Sequence, residues 1–337
     1  MGKPKIASIK DVARLAGVSP TTVSHALGGR RPVAESTRRR VLEAADRLAY
    51  RPHPGARSLK AVRTGVLALC MVNTTGVEAA YAEMEYYFRL VSAATAAALE
   101  EHFALVVVPE TDSGEYWDRL LLDGAIIADP VHDDPNIRRL RARRVPLVTV
   151  GRDPDAPEEG YWVDNDAEVA TRLCLDHLAS CGAREVAGMT LMTSDHWTQT
   201  SLRTYHAWCA EHHQPSRLEV VPEDTADALR GAALRLLESE PRPDAVYGFF
   251  EETALSVLEM ASSLGIKVPA ELMIASPSDF GLGATSMPPL TTVDYHPEQH
   301  GREAVRMLIE LVRGETPAEP HKLIPLSLVE RESTRRR

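Results

Sequence analysis

The side chains that could do chemistry in this sequence are spaced for recognition rather than catalysis. Ser19, Pro20, Thr21, Thr22, Ser24 and His25 open a short helical pattern. A helix entering a DNA major groove presents the side chains of its N-terminal turns to base edges. Ser24 and the backbone at that helix start can reach phosphate. Lys3, Lys5, Lys10, Arg14, Arg30, Arg31 and the run Arg38-Arg39-Arg40 add cations. Catalytic spacings are missing: no His-Glu-x-x-His, no Gly-x-Ser-x-Gly and no phosphate-cradling glycine loop. Gly281-Leu-Gly283 reads as a turn and His132-Asp133-Asp134 as a polar loop. His212 and His213 are consecutive, so on a helix they point about 100° apart and read as solvated residues. Cys70, Cys174, Cys181 and Cys209 form no Cys-x-x-Cys pair and read as reduced core thiols. The expectation is a protein that is not an enzyme and carries no metal and no cofactor.

Charge placement supports a nucleic-acid partner. The 337 residues carry a net charge of −10. Residues 1–63 nevertheless hold 14 Lys and Arg against 4 Asp and Glu, whereas residues 64–337 hold 24 against 44. A basic head on an acidic body implies that the head meets a polyanion and the body does not. There is no secretory leader pattern and no run of 18 apolar residues, so the expected location is the cytoplasm, with no membrane partner.

These residues need positioning elements, and periodicity supplies candidates. Ile9, Val12, Ala13, Ala16 and Val18 recur at helical spacing, and Gly17 breaks the pattern. Ser19 suits an N-cap and Pro20 the first helical turn. Val23, Ala26 and Leu27 stripe a second helix, and a third runs from about Glu35 to Ala49. From Gly65 the pattern changes to apolar strands alternating with helices, in two successive series. That alternation predicts α/β lobes built on parallel sheets, with a ligand cleft between them.

The segment from Ile9 to Ser24 (Ile-Lys-Asp-Val-Ala-Arg-Leu-Ala-Gly-Val-Ser-Pro-Thr-Thr-Val-Ser) resembles the head of the LacI family of transcriptional regulators. The resemblance continues through residues 37–42, 50–52 and 56–60, then in scattered matches as far as residue 333, among them Val163-Asp164-Asn165, Arg203 and Gly301. It implies a helix-turn-helix head over 1–50, a hinge with a short helix over 51–64 and a two-lobed, periplasmic-binding-protein-like core over 65–337. One lobe would comprise about 65–163 and 295–320, the other about 164–294 and 321–330. It further implies a homodimer, or a tetramer of paired dimers, on a near-palindromic double-stranded operator. Leu59 would wedge into the minor groove, flanked by Arg57 and Lys60. His25 stands where the family usually has Arg, and Gly28 where it has Asn.

The same resemblance implies a small-molecule effector between the lobes. Arg203, Ser278, Asp279, Tyr86, Tyr87, Trp197, Gln199 and Phe250 are the effector-binding positions it suggests. Ser278 replaces a usual Asp, Phe250-Glu251 replaces Asn-Asp, and Gly151-Arg152 replaces Asp-Arg. Aromatic faces with few polar anchors suit a sugar-like or nucleoside-like ring. The function implied is a repressor controlled by such an effector. Two alternatives stay open: an effector-independent regulator with a decayed pocket, and a small-molecule-binding protein without a DNA role.

Overall fold

The structure is a computed structural model, and it describes residues 8–28, 33–48, 50, 63–71, 80–109, 115–223, 225–279 and 281–335. The expected hinge helix, with Arg57, Leu59 and Lys60, lies outside these residues, as do Lys3, Lys5, Arg30 and Arg31. Two compact units form, divided between Thr64 and Gly65.

The first unit is three helices: α1 (Ile9–Ala16), α2 (Pro20–Gly28) and α3 (Glu35–Arg47). Asp11 folds back onto the Ser8 N–H at 2.9 Å and caps α1. Gly17 ends α1 at φ +66°, a left-handed conformation that favours glycine, and the Val18 N–H closes onto the Ala13 carbonyl at 3.0 Å. Ser19 Oγ then accepts the Thr22 N–H at 3.1 Å, starting α2. Val12, Val23 and Val41, one from each helix, are fully buried among alanines.

The second unit holds a six-stranded and a four-stranded parallel sheet. The first comprises β1 (Val66–Met71), β2 (Ala104–Pro109), β3 (Gly124–Ala128), β4 (Leu147–Val150), β5 (Trp162–Asp164) and β11 (His321–Leu323), in the order β11-β5-β4-β3-β1-β2. Its strands alternate between two cores. Leu67, Leu69, Ile126 and Val148 face α4 (Ala80–Glu100) and α12 (Pro297–Arg313). Ala68, Cys70, Ala125 and Ile127 face α5 (Glu115–Arg119) and α6 (Pro135–Ala142). Burial on both sides explains why these strands read as unbroken apolar runs.

The second sheet comprises β6 (Val186–Leu191), β7 (Arg217–Val221), β8 (Ala245–Gly248) and β9 (Met273–Ala275), in the order β7-β6-β8-β9. Helices α7 (Ala167–Ser180) and α8 (His196–Glu211) cover one face, and α9 (Ala226–Glu238) and α10 (Glu251–Ser263) the other. A short α11 (Leu282–Thr285) follows, and β10 (Thr292–Asp294) pairs antiparallel with β12 (Ser327–Val329). Contrary to the expectation that residues 321–330 belong to the second lobe, His321–Leu323 pairs in parallel with Trp162–Asp164 at the edge of the first sheet. A three-residue edge strand carries no alternation from which its partner could be read.

Candidate functional site

In the first unit, α2 buries Val23 and Ala26 and so turns its other side chains outward. Ser19, Pro20, Thr21 and Ser24 are exposed, and Thr22 and His25 are half-buried. The hydroxyls of Ser19 and Thr22 bond each other at 2.9 Å, which fixes the first turn. Lys10, Arg14 and Arg38 to Arg40 are all exposed. Arg14 meets Asp11 at 3.3 Å, a surface pair too solvated to remove its charge from a partner. The arrangement offers small polar groups and cations to a groove.

In the second unit, a cleft of about 800 Å³, mouth included, lies at the carboxyl ends of the strands. This is where a parallel α/β sheet exposes its loops to a ligand. Asp129 and Pro130 follow β3, Gly151 and Arg152 follow β4, and Asp164 and Asn165 close β5. Asp195, His196 and Trp197 start α8, Phe250 follows β8, Ser278 follows β9 and Tyr295 follows β10. Tyr86 and Tyr87 reach in from α4, and His300 from α12. Gly151 at φ +88° lets the chain turn beside Asp129, whose carboxylate a side chain would meet at 3.5 Å.

The cleft's electrostatics follow from its burial. Asp129 accepts the Tyr87 hydroxyl at 2.7 Å. Loss of water pushes its carboxyl up to about 6, against the lowering effect of that bond. Burial likewise raises Asp164 to about 7, although Asn165 N–H and Arg152 favour its ion. Arg152 lies 3.6 Å from Asp164 and 3.4 Å from Glu158, with its guanidinium 4.5 Å above the centre of the Trp162 ring. Burial pushes His300 down to about 4 and holds it neutral.

A pH-dependent consequence follows. Because the Asp129 carboxyl sits near 6 folded and near 4 unfolded, its ionisation opposes folding. Asp129→Asn is therefore expected to stabilise the protein without added ligand, by nothing near pH 4 and by at most about 3 kcal/mol above pH 6. Urea unfolding of both proteins at pH 4.5, 6 and 7.5 checks this. A difference that is flat, or shrinks with pH, contradicts it. The charged and titratable groups facing Asp129 are Tyr87, Asp195 and Asp164.

Of the residues suggested by sequence, the structure brings Tyr86, Tyr87, Trp197, Phe250 and Ser278 to the cleft wall. Three do not line it. Gln199 is exposed and donates to the Thr193 carbonyl at 2.9 Å, and Arg203 is exposed with its Nη2 on Thr200 Oγ1 at 2.8 Å. The reason is helical phase. On α8, Gln199 lies about 200° and Arg203 about 240° around the axis from Trp197, so one face cannot present all three. Asp279 is taken by Arg331, whose Nη2 lies 2.9 and 3.2 Å from its two oxygens. Asp129, Arg152, Asp164, Asn165, Asp195, His196, Tyr295 and His300 were missed as site residues. Their signal was positional: most sit just past an apolar strand. Among the described residues, no cluster of His, Cys, Asp or Glu could hold a metal ion, and no helix is long and apolar enough to cross a membrane.

Comparison with known proteins gives two family matches. Residues 8–53 match the bacterial regulatory proteins of the lacI family, and residues 175–334 match the periplasmic binding protein-like domain. The chain is 27% identical over 315 residues to the HTH-type transcriptional repressor PurR of Aliivibrio salmonicida, covering 91% of this chain and 93% of that one. It is 28% identical over 335 residues to the HTH-type transcriptional regulator CelR of Thermobifida fusca, covering 97% and 98%. Among solved structures, a transcriptional regulator CelR–cellobiose complex superposes with a TM-score of 0.73 at 26% identity, covering 97% of this chain and 99% of that one. The lac repressor dimer bound to operator and the anti-inducer ONPF shares the fold, with a TM-score of 0.80 at 23% identity over 98% and 99% of the two chains.

Proposed function

Because the chain belongs to the lacI family of bacterial regulatory proteins, and is a DNA-binding transcriptional regulator with a ligand-binding core, we propose that it is a repressor whose operator binding is set by a small ring ligand in the cleft. The observation that carries this reading is the presence, in one chain, of a basic helix-turn-helix and an aromatic-lined cleft at the strand ends. The head spans 1–50 and the hinge 51–64, with Ser19 to Thr22, Ser24 and His25 facing the operator. Arg57, Leu59 and Lys60 act at the hinge. The protein works as a homodimer on a near-palindromic site; the lac repressor structure, a dimer bound to operator, supports the pairing. The ligand is sugar-like or nucleoside-like. The relative that holds cellobiose supports the former, and the rings of Tyr86, Tyr87 and Trp197 suit either.

Control requires the ligand to bind one arrangement of the core better than another, since equal affinity shifts nothing. The test is a gel shift with the full chain on its own promoter region, repeated with cellobiose and a panel of sugars and nucleosides. Sequence-specific retardation that at least one ligand shifts by tenfold or more is the expected result. Specific retardation that no ligand changes would identify an effector-independent regulator. No specific retardation would overturn the reading.

A further inference from the structure

The charges in the cleft are poorly matched to a neutral ring. Its aromatic side chains run as a continuous arc. Ring centres are 5.2 Å apart from Tyr87 to Tyr86, 6.3 Å from Tyr86 to Tyr295 and 5.0 Å from Tyr295 to Trp197, each edge-to-face. A carboxylate stands at each end of the arc. Asp129 accepts the Tyr87 hydroxyl at 2.7 Å. Asp195, two residues before Trp197, accepts the Thr198 N–H at 2.7 Å and caps α8.

The two carboxylates are close enough for the charge of Asp195 to act on Asp129. Both line the same cleft, and among the described residues neither forms an ion pair with a Lys or Arg. Their hydrogen-bond donors are the Tyr87 and Thr193 hydroxyls and the Thr198 backbone N–H, all neutral. The guanidinium on the wall, Arg152, is already matched by Asp164 at 3.6 Å, Glu158 at 3.4 Å and the face of Trp162, and Arg203, whose charge also reaches His196, is exposed to solvent. Burial pushes the imidazoles of His196 and His300 toward their neutral forms. The cleft therefore keeps an excess of negative charge, half-desolvated and unpaired, which is costly for the protein on its own. Aromatic faces beside carboxylates attract one class of group most strongly, a cation.

We propose that the ligand of this cleft carries a cationic ammonium group, seated between Asp129 and Asp195 against the ring arc of Tyr87, Tyr86, Tyr295 and Trp197. This rests on the reading of the cleft as the effector site. It narrows the ligand to one that bears an ammonium cation, such as a protonated amino sugar or a quaternary ammonium alcohol.

The test compares cations with neutral partners of like shape: choline with 3,3-dimethylbutan-1-ol, glucosamine with glucose, and the disaccharide of glucosamine with cellobiose. Binding to the full chain is read from tryptophan fluorescence, to which Trp197 contributes, and from the thermal midpoint. In at least one pair the cation should bind about tenfold or more tighter. The double variant Asp129→Asn, Asp195→Asn should erase that preference. Asn keeps an acceptor for the Tyr87 hydroxyl and remains a good helix cap, so the variant should fold.

Equal or weaker binding of every cation, no binding of any cation, or a preference that survives the double variant would overturn the proposal. A parallel gel shift separates the two readings. If a neutral probe shifts operator binding and no cation does, the effector site stands and the charge assignment falls. If a cation binds and operator binding does not change, the charge assignment stands and the regulatory reading falls.

Discussion

A chain that begins at Thr64 is expected to fold and to lose specific operator binding by about 10³-fold or more. Folding should survive because the structural units divide between Thr64 and Gly65, and both sheets with all their covering helices lie beyond that point. Binding should fail because the exposed face of α2 and the 14 Lys and Arg of residues 1–63 are removed together. What remains has 24 Lys and Arg against 44 Asp and Glu, so phosphate repels it and even non-specific affinity should vanish. The intact chain should show the complementary behaviour. Its affinity should fall steeply as salt rises, because each cation placed on a phosphate releases a counterion. Gel shifts of both chains on the same promoter fragment, with circular dichroism to confirm folding, decide the matter. Specific binding by the truncated chain within tenfold of the intact one would refute the placement of recognition in the head.

The largest stability effect should come from Gly301→Ala on α12. A Cβ at Gly301 would lie 2.4 Å from the Leu90 carbonyl oxygen and 2.9 Å from the Ala94 nitrogen, both backbone atoms of α4. Neither can turn aside as a side chain would, so the two helices must separate. Leu90, Ala94, Ala304 and Val305 are fully buried in the core those helices form over the first sheet. Opening it should cost about 3 kcal/mol or more, at the upper end for overpacking. That corresponds to a fall in melting temperature of about 6 °C for a unit of this size. Because α4 also carries Tyr86 and Tyr87 to the cleft, ligand affinity should weaken in parallel. Gly231→Ala is the control. Gly231 lies inside α9 with only the end of the Arg235 side chain nearby, at 3.7 Å, so alanine there should stabilise by about 0.5–1 kcal/mol. Thermal unfolding of the three proteins checks both directions, and a Gly301→Ala variant as stable as the parent would contradict the tight crossing.

Much of this protein is legible along the chain because the signals are local. Gly17, Ser19 and Pro20 mark the turn of the head through backbone conformation and capping, which depend on immediate neighbours. The apolar runs at Val66–Met71 and Gly124–Ala128 announce strands buried on both faces, and they are. The pair Tyr86-Tyr87 and Trp197 can be suspected of facing a ligand from residue type and family likeness. The cleft itself is another matter. Asp129, Asp164 and Asp195 are separated by 30 residues or more, and they meet only because the parallel strands of two sheets bring their carboxyl ends to one cleft. Gln199 and Arg203 fall away from that edge because the phase of α8 is fixed by which of its residues pack on β6 and β8, not by their own chemistry. Asp279 is withdrawn by Arg331, 52 residues further on, a partner that exists only once the tail has docked. Sequence determined which local elements form and which end of the molecule carries the positive charge, since both are set by near neighbours and composition. Tertiary structure decided which charges share a space and which are already paired, because that depends on distances the chain closes only by folding.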